Sequence, residues 1–340
     1  MTASEERIQD ELGSAAARRM QFLERYGVFA MVVVMMVVLT ILQPDVFPTT
    51  QNLTNILRQI AMNALLALGL YVVILTAGID LSVGSIMAFA TMLLAMADTS
   101  GFFPWPLAIL VGPLVGVACG LVNGMGLTVL RLPHPFIMTL GTLYTLRGLT
   151  NLVSSGRPIS GVSPEVRFLG SGEIPMPFLG EYGSLPVSAF VVLASYVGVA
   201  FFLNKVSLGR HIVAVGGNPQ AARVSGINVN RVLLVVYGIS GFFAGLAALL
   251  MAGRTGSGFP NAGIGAELDA IAAVIIGGAS FFGGRGTVLG VFAGVLVMGL
   301  LRNGLNIMNV SAFWQQTLIG MIVVGAVYVD VLRRRAGSDQ

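Results

Sequence analysis

Residues 26–44 read YGVFAMVVVMMVVLTILQP, without one charged side chain. A helix rises 1.5 Å per residue, so roughly 18 or more apolar residues in a row can span the hydrocarbon core of a bilayer. Uncharged runs of similar length recur at 59–79, 99–130, 182–204, 232–253 and 303–329. The whole chain of 340 residues is 55% hydrophobic and 10% charged, with a mean hydropathy of +0.86. A soluble domain carries about a quarter charged residues. The solvent that does not reward charge is the bilayer, so an all-α integral membrane protein is expected.

Ten spans follow, at about 26–43, 60–77, 84–98, 105–129, 135–154, 186–204, 230–252, 268–280, 286–301 and 312–331. The third, eighth and ninth are short and Gly-rich, which suits tilted, broken or re-entrant segments. Residues 51–59, QNLTNILRQ, are too polar to span, and Leu53, Ile56 and Leu57 share a face, so an interfacial helix is expected there. The segment 155–185, with Pro158, Pro164, Pro175 and Pro177, reads as an ordered external loop. A single transmembrane domain at 26–331 thus lies between a leader at 1–25 and a tail at 332–340. The leader mixes Glu5, Glu6, Asp10 and Glu11 with Arg7, Arg18 and Arg19, unlike a secretory signal.

The net charge is +4, and the basic residues stand at the ends of apolar runs. They orient the chain in the membrane; no aromatic-plus-basic patch suggests nucleic acid. With the N-terminus inside and ten crossings, the inner segments hold Arg7, Arg18, Arg19, Arg25, Arg131, Lys205, Arg210, Arg223, Arg231, Arg285 and Arg333 to Arg335. Arg58, Arg147, Arg157, Arg167, Arg254 and Arg302 fall outside or near outer ends. The bias favours N-in, C-in, most strongly at 205–231, which has four basic residues and no acid. Cys119 is the sole cysteine and excludes an internal disulfide.

Small residues form stripes at Gly112/Gly116/Gly120/Gly124, Gly241/Gly245 and Gly286/Gly290/Gly294, the spacing that lets helices pack closely. No phosphate-binding Gly loop ends in Lys-Ser or Lys-Thr, and His134 and His211 are the only histidines. Metal and soluble-enzyme signatures are therefore missing, and no catalytic, cofactor or metal residues are expected.

Four stretches stand out. In Gly78-Ile79-Asp80-Leu81-Ser82-Val83-Gly84, one carboxylate lies between two apolar spans. It either caps the third span or works in transport. In Leu132-Pro133-His134-Pro135-Phe136, two prolines open a helix and His134 reads as a turn residue. In 207–227, Asn218 can cap a helix beginning at Pro219, and Gly226 can end it. A helix of about two turns is marginal alone and makes sense docked into a partner's groove. In Gly265-Ala266-Glu267-Leu268-Asp269, two acids sit at a helix start, where the dipole favours them; a gate at the outer mouth is the other reading.

In this order and spacing the four stretches resemble the permease subunits of ribose-type ABC sugar importers, from about Asn52 to Asp330. The most specific pieces are 78–84, Ala214-Val215-Gly216-Gly217-Asn218, Ala221-Ala222-Arg223, Ser225-Gly226-Ile227 and 267–274. Ala77, Phe281-Phe282 and Arg302 depart from the family's usual residues. The resemblance implies about ten transmembrane helices per subunit, a second permease subunit (identical or a paralogue), two cytoplasmic ATP-binding subunits and an external sugar-binding protein. It also implies a bacterial inner membrane, with ATP-Mg held by the partner subunit and no cofactor in this chain. On that reading 205–231 is the coupling loop, and Gly216, Gly217, Asn218, Pro219, Ala221, Ala222, Arg223 and Gly226 meet the ATPase. A neutral polyol would be held by uncharged polar and aromatic groups, with Asn63, Phe136, Thr139, Thr142 and Asn303 as candidates; the amides could equally join helices. Asp80, Ser82, Gly84, Glu267 and Asp269 complete the motif residues. An ion-coupled secondary transporter of a small neutral solute is the alternative, with Asp80 as its one clear membrane-embedded acid.

Overall fold

A computed structural model describes residues 26–176 and 183–338, with side chains as far as 331. The expected leader, Pro177 and the side chains of the expected tail, including Arg333 to Arg335, lie outside the described residues. The described chain is mostly helical. It runs α1 (Tyr26–Leu42), α2 (Thr50–Ile74), α3 (Val83–Thr99), α4 (Trp105–Thr128) and α5 (Pro135–Ser154). After β1 (Ile159–Ser160), α6 (Pro164–Ser171), β2 (Glu173–Pro175) and β3 (Ser184–Pro186) come α7 (Val187–Lys205), α8 (Ser207–Gly217) and α9 (Pro219–Val224). Last are α10 (Val229–Thr255), β4 (Ser257–Gly258), α11 (Ala266–Ile276), α12 (Val288–Ile307) and α13 (Ala312–Ser338). Six helices are long and apolar enough to cross a membrane: α2, α4, α7, α10, α12 and the Ala312–Val331 part of α13. α1 and α3 are shorter apolar helices.

Two expectations are corrected. Residues 51–59 are not a separate interfacial helix but the opening turns of α2, which the Thr49 hydroxyl caps by accepting from the Asn52 N–H at 3.2 Å. The helix continues because its polar side chains find partners. Asn52 pairs with Asn303, the Thr54 hydroxyl donates to the Ser184 carbonyl, and Arg58 pairs with Glu173. Nor is the chain purely α. β1 pairs antiparallel with β4, tying the start of the 155–186 segment to the chain after α10, and β2 pairs with β3, closing the later part of the segment on itself. Its middle is ordered by Asp98, whose carboxylate accepts from the Ser163 N–H at 2.6 Å and the Ser163 hydroxyl at 2.9 Å.

α2 and α10 form the centre, and α4 lies against α10 through glycines. A Cβ at Gly112, Gly116 or Gly120 would strike the carbonyl oxygen of Gly245, Gly241 or Tyr237 respectively. Small residues there bring two backbones together, as the stripe implied. Gly290 and Gly294 do the same for α12 against Gly277 and Ala273 of α11, whereas Gly286 belongs to the preceding turn at φ 148°.

Candidate functional site

α2 ends in a turn over 75–82 before α3 begins. Ala77 takes φ 56° there, a left-handed conformation that glycine adopts without strain. The turn delivers Asp80 to a fully buried position. One carboxylate oxygen accepts from the Ser82 N–H at 2.9 Å and the Ser82 hydroxyl at 2.6 Å. The other accepts from the Ser240 hydroxyl on α10 at 2.8 Å. The Asn123 amide on α4 donates to Ser82 Oγ at 2.8 Å, and the Thr142 hydroxyl on α5 donates to Asn123 Oδ1 at 2.6 Å. The Tyr237 hydroxyl donates to the Ile79 carbonyl at 3.2 Å.

Asp80 is thus not the cap residue of α3; Ser82 is, and Ser82 makes no side-chain cap bond because its hydroxyl serves Asp80 and Asn123. Asp80 holds the N–H of the cap residue and ties the entry of α3 to α10. A buried polar group costs little when every partner is in place and much when one is missing, so this junction fixes four elements relative to each other. Among the described residues no group of acids, histidines and cysteines could hold a metal.

A glycine-rich contact adjoins the same turn. Gly216 and Gly217 end α8, and Gly284 donates its N–H to the Leu75 carbonyl at 2.9 Å. A Cβ on Gly216 would run into that carbonyl, and one on Gly283 into the Ala77 backbone. Asp330 on α13 accepts from the Phe281 N–H at 3.0 Å and the Ser280 hydroxyl at 3.3 Å, holding the other side of the 277–287 loop.

α9 follows directly. The Asn218 side chain accepts from the N–H groups of Gln220 at 2.9 Å and Ala221 at 3.0 Å, Pro219 occupies the first helical position, and Gly226 takes φ 82° after the end. These are the caps the residues foretold. The outer face differs from expectation. Ala222 is buried within this chain, so it offers no surface to a groove. Ala221, Arg223 and Val224 face outward, and Val224 is 91% exposed. Sequence reasoning passed over Val224, although a branched apolar residue between Arg223 and Ser225 on a short polar helix was the available signal.

The remaining candidates disperse. Asn303 is buried and exchanges two hydrogen bonds with Asn52, at 2.8 and 3.2 Å. Thr139 donates to the Pro135 carbonyl at 3.1 Å, and Thr142 serves Asn123. These three use their polar groups to join or brace helices. Phe136 is exposed at the start of α5, which His134 caps by accepting from the Phe136 N–H at 3.2 Å. Asn63 lines a small cavity with Asp269 and Arg302, which form an ion pair between α11 and α12. Gly84 leaves no room for a Cβ beside the Gly263 carbonyl and the Glu267 carboxylate.

A family described as branched-chain amino acid transport system / permease component matches residues 52–327, a stretch that takes in all of these motifs. The chain belongs to that permease family. The permease is 40% identical to the ribose import permease protein RbsC of Bacillus subtilis (strain 168), covering 91% of this chain and 93% of that protein. It is 39% identical to the D-allose transport system permease protein AlsC of Escherichia coli (strain K12), over 92% and 93%. It is 36% identical to the galactose/methyl galactoside import permease protein MglC of the same strain, over 92% and 95%. No solved structure matches it. The permease is a multi-pass membrane transport subunit, and its motif residues form joints between helices, not a catalytic constellation.

Proposed function

We propose that the permease is the membrane subunit of an ATP-driven importer that carries a sugar or sugar-like solute across a bacterial inner membrane. The observation that carries this reading is likeness over nine-tenths of the chain to permeases of ribose, allose and galactose import. A second permease subunit would complete the pathway, two cytoplasmic subunits would bind ATP-Mg, and an external protein would deliver the solute. The chain would cross ten times with both ends inside, as the basic residues at 205–231 and at the C-terminal end favour. The exposed face of α9 would dock on the ATP-binding subunit. Its doubly accepted cap and its position beside the 75–82 turn and the glycine contact support that role.

The test is uptake of labelled D-ribose, D-allose and D-galactose into cells that express the permease with the ATP-binding and binding-protein genes beside it. Uptake that stops on ATP depletion and survives an ionophore is expected. Uptake that stops with the ionophore alone would favour the ion-coupled alternative.

A further inference from the structure

We propose that Gln59, Asn63, Asp269 and Arg302 form a hydrated subsite that takes hydroxyl groups of the passing solute, an inference that rests on the sugar-import reading. Gln59 and Asn63 lie one turn apart on α2 and line the same small cavity as Asp269 of α11 and Arg302 of α12. Neither side-chain amide has a hydrogen-bond partner among the described residues. Both residues are half-buried, whereas the Arg302 Nε is buried and unpartnered, although its guanidinium pairs with Asp269. Buried polar groups are normally satisfied, so this nitrogen asks what meets it, while the two half-buried amides beside it have polar groups to spare. The contrast with Asn52 and Asn303 is direct. Those amides bond each other across α2 and α12, whereas Gln59 and Asn63, on the same helix as Asn52, bond nothing and face open space.

The cavity measures about 30 Å³. A water needs roughly 10–15 Å³ on that measure, so about two or three water-sized groups fit and a whole sugar ring does not. The ligand chemistry follows from the donors. Amides both donate and accept, as hydroxyls do, and the Asp269–Arg302 pair offers one acceptor and one donor with no net charge. A charged solute would lack a counter-charge there; a neutral polyol would replace bound water hydroxyl for hydroxyl.

The amides are suitable to alter because no protein group depends on them. The first arm uses the full importer with Cys119→Ser and Asn63→Cys, treated in intact cells with a membrane-impermeant methanethiosulfonate. Modification at 63 is expected, because residue 63 is only half-buried and the reagent need not fit inside the cavity; a thiol that stays unmodified while Glu165→Cys reacts would overturn the proposal. The second arm compares D-ribose, D-allose and D-galactose uptake by Gln59→Leu and Asn63→Leu. Loss of one hydrogen bond changes binding about three- to tenfold, so the ratios of apparent KM among the sugars should move by that order while permease abundance holds. Unchanged ratios would overturn the proposal even if residue 63 is modified. Failure of the unaltered importer to move any of the three sugars would instead sink the sugar-import reading, and the sugar ligand with it.

Discussion

The Ser240 hydroxyl on α10 and the Asp80 carboxylate are 2.8 Å apart, although 160 residues separate them in the chain. Through this bond the turn between α2 and α3 is fastened to the central helix of the fold. Ser82 holds the other carboxylate oxygen and, through Asn123 and Thr142, extends the link to α4 and α5. The turn over 75–82 and the end of α8 share the Leu75 carbonyl as a contact, so movement at α9 has a short route to this junction.

Asp80→Asn is expected to keep most of the folded permease. Its amide oxygen can still accept both Ser82 donors, and the Ser240 hydroxyl can turn to accept from the new NH₂. Asp80→Ala removes every acceptor and leaves buried donors unmet, at about 1–3 kcal/mol for each such group. Thermal melting of the detergent-solubilised protein, followed by size-exclusion chromatography, should separate the two. Equal melting temperatures for Asp80→Ala and the unaltered chain would show that the junction does not hold the fold.

The meeting of α4 and α10 gives a sharper contrast. A side chain at Gly116 would strike the Gly241 carbonyl, and one at Gly241 the Gly116 carbonyl. Backbone cannot yield as a flexible side chain can, so Gly116→Leu or Gly241→Leu should cost at least the 1–3 kcal/mol roughly typical of overpacking. Gly198 and Gly320 have open space at the same point. Alanine there should leave the yield of monodisperse protein unchanged, while both leucine variants should aggregate. Normal yields from the leucine variants would mean that the two helices do not pack as closely as described.

Much of this arrangement is legible in the sequence alone. Apolar run length located the helices, because a bilayer rewards little else, and Asn218, Pro219, Gly226 and His134 announced their local roles through backbone chemistry confined to a few residues. The 51–59 turn misled because its polarity looked like surface; it is polar because Asn52, Thr54 and Arg58 bond distant residues that no local pattern reveals. Asp80 was visible as costly, but its partner Ser240 is one hydroxyl among many until the helices are in place. The pathway candidates were chosen by residue type, and type alone cannot tell an asparagine that glues two helices, Asn303, from one that faces a cavity, Asn63. The small size of Ala222 was read as an exposed docking feature, when it is what lets α9 pack on its own chain.

Orientation can be checked by labelling cysteines in a Cys119→Ala background. The basic loop predicts Ser225→Cys inside and Glu165→Cys outside. Both positions are exposed. Gly170 would be a poor reporter, since a Cβ there meets the backbone of α10 at Leu250 and Arg254. An impermeant maleimide should mark residue 165 in intact cells and residue 225 only after the membrane is opened. Labelling of 225 but not 165 in intact cells would invert the proposed topology.

The last prediction concerns Val224, which is 91% exposed on α9. An apolar side chain held out on a capped, rigid helix gains by burial in a partner, by about 1.5–3 kcal/mol for a complete change of surroundings. A charge at that position would have to be desolvated without a partner. Val224→Glu should therefore leave insertion and yield of the permease intact, because nothing in the chain rests on that side chain. Its co-purification with the ATP-binding subunit should fall roughly tenfold or more, the loss expected when about 1.4 kcal/mol or more is withdrawn from an interface. Uptake should fall with it. Ala222→Trp acts differently: Ala222 is packed inside the permease, so the bulk strikes the chain's own core and lowers the yield of folded subunit before any partner is met. Measuring yield, co-purification and substrate-stimulated ATPase activity on the two variants side by side separates docking from folding. Full ATPase stimulation and full uptake by Val224→Glu would remove α9's outward face from the contact with the ATP-binding subunit.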